Sequence, residues 1–162
     1  MRTVLIISST RGANLVLANK ISDLLEFDNR VMCLDDFPLP LYTPDAEKPK
    51  AEFMDRICQQ FIDSDGLIFC APEYNGGSPP ILTNIITWLS VSTDNWRDVF
   101  NEKKGLIATH SGGAGSRFLA TFRVQLEHMG VIVYPRSIMV NRSNKFKVDS
   151  ASNILNGFVS LL

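Results

Sequence analysis

Three short polar stretches, each placed after an apolar run, hold the residue types that could do chemistry. The first, Ser8-Ser9-Thr10-Arg11-Gly12-Ala13-Asn14, sets hydroxyls, backbone N–H groups and a guanidinium ahead of a helical pattern. That combination suits a phosphate, because a helix N-terminus presents unpaired N–H groups and an arginine adds a fixed fork of donors. Neither GxxxxGK[ST] nor GxGxxG is present, so the stretch is not one of the familiar nucleotide loops. The second, Pro72-Glu73-Tyr74-Asn75-Gly76-Gly77-Ser78, has glycines that let main-chain groups approach a planar ligand and a tyrosine that could cover a ring face. The third, His110-Ser111-Gly112-Gly113-Ala114-Gly115-Ser116-Arg117, again places hydroxyl and glycine before a helix. His110 beside Ser111 evokes hydrolysis, but neighbours on an extended chain point opposite ways and GxSxG is absent. Each stretch also has a plainer reading, in which Ser, Asn, Gly and Pro cap helices and break strands.

These stretches need elements to hold them at one place. Apolar runs at residues 2–8, 30–35, 65–71, 104–109 and 131–135 read as strands. Between and after them, helical periodicity groups Leu17, Ala18, Ile21 and Leu24, then Met54, Ile57, Cys58 and Phe61, then Leu82, Ile85, Ile86 and Leu89, then Phe118, Leu119, Phe122 and Leu126. A last amphipathic segment carries Ile154, Leu155, Phe158 and Leu161. Strand–helix alternation predicts a parallel sheet covered on both faces by helices. Phe37 to Pro44 reads as an extended, proline-stiffened loop. With no repeat or linker in view, residues 1–162 are expected to form a single domain.

Composition narrows the partners. Sixteen basic and seventeen acidic residues give a net charge of −1, which supplies no electrostatic footprint for nucleic acid or an anionic membrane. The early apolar run Val4 to Ile7 is too short for a leader or a membrane span, so a cytoplasmic protein is expected. Cys33, Cys58 and Cys70 are odd in number and lack CxxC spacing; reduced, buried thiols are expected, and no metal site is legible.

The order and spacing of Pro72-Glu73-Tyr74-Asn75, Ser78-Pro79, Leu82, Asn84, Ile86, Trp88 and Ser90 resemble the flavin-contacting loop and following helix of the NAD(P)H-dependent FMN reductases. The first loop is similar to that family's Gly-Ser-x-Arg phosphate loop, although Ser8 replaces its glycine and the segment is shorter. Leu34-Asp-Asp and Leu39-Pro-Leu-Tyr42 match the loop after its second strand. The resemblance implies a flavodoxin-like five-stranded parallel sheet of order 2-1-3-4-5. It implies FMN held by Ser9, Arg11, Asn14, Pro72, Glu73, Tyr74, Asn75, Gly76, Ser111, Gly112 and Gly113. NADPH or NADH would be the reductant, and a quinone, azo compound, free flavin or similar small molecule the acceptor. The cofactor would carry the chemistry, leaving Glu73 and the other side chains no catalytic role. A homodimer or homotetramer is also expected, since Ile81 and Trp88 lie off the core stripe of their helix. An electron-carrier flavodoxin and a cofactor-free paralogue remain as alternatives. The near-neutral charge and the Pro-Glu-Tyr-Asn loop weigh against the carrier; the shortened phosphate loop, Thr83 and Thr87 favour the paralogue.

Overall fold

The fold follows from strands that are apolar on both faces. In a computed structural model describing residues 2–162, β1 (Val4–Ser8), β2 (Asn29–Cys33), β3 (Gly66–Cys70) and β4 (Lys104–His110) form a parallel sheet. Its order is β2-β1-β3-β4-β5, where β5 is Ile132–Val133. Side chains alternate across each strand, so the two faces divide the core between them. Leu5, Ile7, Leu67, Phe69 and Ile107 face one way, onto α2 (Ala51–Ile62), α3 (Pro80–Val91) and α4 (Ser116–His128). Val4, Ile6, Ile68, Cys70, Leu106 and Ala108 face the other, onto α1 (Ala13–Leu24) and α5 (Val148–Val159). Burial on both sides explains why these strands read as continuous apolar runs rather than alternating ones.

All five expected strands begin and end within two residues of their sequence-read bounds. The fifth is shorter than the expected 131–135 and is resumed by β6 (Ile138–Val140), which also pairs with β4. Pro135 lies in the break and cannot donate to a ladder, so the edge position is filled in two pieces.

Two expectations about surface and core need correction. Trp88 is 2% exposed rather than a free apolar residue, because the loop from Phe37 to Pro44 folds over it. Its indole N–H donates to Pro40 O (2.8 Å), and Tyr42 meets it edge-on with ring centroids 5.1 Å apart. Asn84 fastens the same loop, accepting from Tyr42 N–H (2.8 Å) and donating to Pro40 O (2.9 Å). Ile81 is half-buried against the same core. All three cysteines are free and buried. Burial pushes the Cys70 thiol far above its ordinary value, which leaves it unreactive at neutral pH.

Candidate functional site

Register puts the ends of three strands at one level. Ser8 pairs with Cys33 on one side and with Cys70 on the other, and Cys70 pairs with Ala108. The chain leaves β1, β3 and β4 toward the same edge of the sheet. β1 lies at the point where strand order reverses, the position at which open parallel sheets form a ligand crevice.

The first loop turns into α1 through Gly12, the N-cap residue, with no side-chain cap on the helix. Its first-turn N–H groups have no partner within the helix. Ser9 is 1% exposed, and its hydroxyl is buried with no hydrogen-bond partner among the described residues. A buried orphan hydroxyl costs stability unless something satisfies it. Asn14 has a different engagement. Its amide donates to His110 O (2.9 Å) while its carbonyl oxygen accepts from His110 N–H (2.9 Å), so the carboxamide straps the start of α1 to the end of β4. Arg11 is drawn to the end of β2: its guanidinium pairs with Asp36, and its backbone N–H donates to Asp35 Oδ2 (2.7 Å).

The second loop is a tight hairpin. Tyr74 N–H donates to Gly77 O (3.0 Å) and Gly77 N–H to Tyr74 O (2.9 Å). The central pair has φ of 51° at Asn75 and 78° at Gly76, the signs of a type I′ turn, which Asn-Gly favours. Pro72 is buried at the base, while Tyr74 stands 48% exposed at the tip. Its ring is free to meet a ligand rather than packed away.

Glu73 joins the second loop to the third. Its carboxylate accepts from Arg117 N–H (3.0 Å) and Phe118 N–H (3.1 Å), capping the start of α4 from another loop. That placement satisfies orphan donors and sets a negative charge at the positive end of the helix. Glu73 N–H in turn donates to Ser111 Oγ (2.8 Å), which shares a hydrogen bond with Thr109 Oγ1 (2.8 Å). Ser111 is therefore a buried brace between loops. Gly112 and Gly113 are exposed, and a side chain built on either would meet nothing within 4 Å.

The structure thus gathers all eleven sequence-read residues around one edge, with different engagements. Tyr74, Asn75, Gly112 and Gly113 are exposed, Gly76 lies against Arg117, the Ser9 hydroxyl is buried without a partner, Pro72 is buried, and Arg11 is exposed but paired with Asp35 and Asp36. Asn14, Glu73 and Ser111 spend their side chains holding loops together. Sequence reading overlooked Thr109, Asp35 and Asp36 as members of this network; the loop-to-loop spacing that involves them is visible only in three dimensions. No hydrogen bond links the His110 and Ser111 side chains, and no cluster of His, Cys, Asp and Glu suits a metal among the described residues.

Sheet order and crevice together define a flavodoxin-like α/β protein. A profile of the family described as NADPH-dependent FMN reductase matches residues 1–145, and the chain belongs to that family. It is an FMN-dependent oxidoreductase. Among its relatives is a 2-hydroxy-1,4-benzoquinone reductase of Burkholderia sp, 28% identical over 96% of this chain and 86% of the relative. The fold is similar to that of FerB, a flavoenzyme NAD(P)H:(acceptor) oxidoreductase from Paracoccus denitrificans, with a TM-score of 0.79 and 20% identity over 99% of this chain and 96% of that one. Flavodoxin 1 from Bacillus cereus superposes with a TM-score of 0.65 at 17% identity, over 100% of this chain and 99% of the flavodoxin.

The residues present fit FMN. The orphan Ser9 hydroxyl and the start of α1, which has no side-chain cap, suit its phosphate, and the open space beside Gly112 and Gly113 with the exposed Tyr74 suits its ring.

Proposed function

We propose that the protein is a reductase that takes reducing equivalents from NADPH, uses FMN held among the three loops, and passes them to a small quinone or azo acceptor. One observation carries the reading: a buried hydroxyl without a partner and a helix with no side-chain cap stand at the same strand-end level as a loop whose glycines, Gly112 and Gly113, have open space beside them. The quinone reductase among the relatives supports the acceptor class. NADPH is preferred to NADH on the family's description alone.

FMN, when bound, supplies the acceptance of a hydride and its delivery to a second substrate. The chain's own residues orient and confine. Ser9 Oγ, the Arg11 guanidinium and N–H, and the N–H groups of the first α1 turn would bind the phosphate. The main chain of Asn75, Gly76, Gly112 and Gly113 would face the polar edge of the ring, and Tyr74 would lie against one face. Glu73, Ser111 and Asn14 keep the three loops at fixed separation. Because Gly112 and Gly113 leave their side of the crevice unwalled, one open position can serve the nicotinamide and the acceptor in turn, which gives ping-pong kinetics.

The test is a pair of titrations with an absorbance spectrum. Saturating FMN is expected to give a shifted or quenched flavin signal that excess NADPH bleaches anaerobically. FMN is expected to outbind riboflavin by at least about tenfold, because a charge-assisted hydrogen bond contributes about 1.5 to 3 kcal/mol and a helix N-terminus adds roughly 0.3 to 2. Arg11→Ala should narrow that ratio by weakening FMN. No flavin binding at all would sink the reductase reading, and equal affinities would sink the phosphate site.

The protein is further proposed to be cytoplasmic and to pair as a homodimer. No described helix is long and apolar enough to cross a membrane. With Trp88 enclosed, the support for pairing rests on Leu41, 75% exposed on the covering loop, and Val91, 49% exposed at the end of α3. Light scattering at micromolar concentration should give twice the monomer mass of 18.1 kDa. A monomer alone would refute the pairing.

A further inference from the structure

The loop that suits a phosphate already has an anion on it. Parallel register brings the end of β2 level with the end of β1, Ser8 opposite Cys33, so Asp35 and Asp36 stand beside the first loop. Asp35 Oδ2 takes the Arg11 N–H (2.7 Å), one of the loop's donors, and Asp36 takes the guanidinium. Two carboxylates against one guanidinium leave an excess negative charge where a dianionic phosphate would arrive. The ion pair is exposed, with side-chain accessibilities of 63% for Arg11 and 50% for Asp36. It can therefore open at small cost.

We propose that Asp35 and Asp36 are built-in competitors for the phosphate-binding donors of the first loop, lowering the affinity for FMN so that the flavin exchanges rather than remaining fixed. The inference rests on placing the phosphate at this loop. Asp35 must give up Arg11 N–H, and Asp36 the guanidinium, before either donor reaches the ligand. Both carboxylates then repel what has bound. Riboflavin has no phosphate and does not meet this competition. The Ser9 hydroxyl and the remaining N–H groups at the start of α1 stay free of it, which preserves a net preference for FMN.

The experiment compares FMN and riboflavin affinities for the unmodified protein, Asp36→Asn, Asp35→Asn and the double variant, each checked for folding by thermal unfolding. Asp36 lies on an exposed turn, so its substitution tests the idea without threatening the fold. Each single variant is expected to bind FMN about fivefold more tightly, the ceiling set by an exposed ion pair, and the double variant about tenfold or more. Riboflavin affinity should stay within about twofold. The FMN gain should shrink at high salt, since exposed charges are screened. The double variant should also retain more FMN through gel filtration. A preference for FMN in the unmodified protein that the variants leave unchanged or reduce overturns this inference alone. Equal FMN and riboflavin affinities in the unmodified protein overturn the phosphate assignment beneath it.

Discussion

Asn14→Ala is expected to lower the unfolding free energy by about 2–4 kcal/mol and to weaken FMN by at least about tenfold. The carboxamide makes two hydrogen bonds to the backbone of one residue, His110, at 2.9 Å each, and it is 3% exposed. Truncation leaves the N–H and C=O of half-buried His110 without partners, and each such loss costs about 1–3 kcal/mol where water does not replace it. The functional effect comes from geometry. This strap holds the start of α1, where the phosphate is proposed to bind, to the end of β4, so its loss lets two walls of the proposed site move apart. Asn14→Asp is the sharper control. A carboxylate accepts from His110 N–H but has nothing to donate to His110 O, and its charge would face a carbonyl and an arriving phosphate. It should bind FMN no better than the alanine variant. Chemical denaturation and flavin titration read both effects, and wild-type stability in Asn14→Ala would show that the strap is dispensable.

Glu73→Ala should weaken FMN and riboflavin together, by about tenfold each, with a stability loss of about 1–3 kcal/mol. The carboxylate satisfies two N–H groups at the start of α4, a capping role whose removal costs about 0.5–2 kcal/mol, with more where the acceptor is charged. Removing it frees the second loop from the third. The proposed placement sets the ring against those loops, so the loss should fall equally on ligands with and without a phosphate. Glu73→Gln keeps an acceptor oxygen and should recover much of the affinity. The contrast with Arg11→Ala is diagnostic, because that variant changes the FMN to riboflavin ratio whereas Glu73→Ala should leave it unchanged. A selective loss of FMN in Glu73→Ala would place the carboxylate near the phosphate instead.

Much of this architecture was legible in the sequence because its strands are buried on both faces and its helices carry clear apolar stripes. Val4 to Ile7 and Leu67 to Cys70 could hardly be anything else between turn-forming residues. The broken edge was harder to see: Ile138-Met139-Val140 is three residues long and follows a proline, so no periodicity marks it. Trp88 misled for a different reason. Helical spacing places it at the flank of the Leu82, Ile85, Ile86 and Leu89 stripe, and only the distant loop that supplies Pro40 O and Tyr42 encloses it. The site showed the same division. Residue types marked the three loops but fit ordinary helix caps and strand breaks equally well, and the resemblance of their order and spacing to the FMN reductases singled them out. The division of labour among them was hidden, since Asn14 meets His110, Glu73 meets Arg117, and Asp35 meets Arg11 across long stretches of chain.

The Asn14–His110 strap spans 96 positions of sequence and the Glu73–Arg117 cap spans 44. Contacts of such separation reward the chain only after the loop-closure entropy has been met, and they are slow to form. β1, α1 and β3 can associate while the later residues are still emerging from the ribosome, but the first loop is not strapped to the third until β4 has formed. The loops proposed to hold the flavin are accordingly locked together late in folding rather than serving as its nucleus.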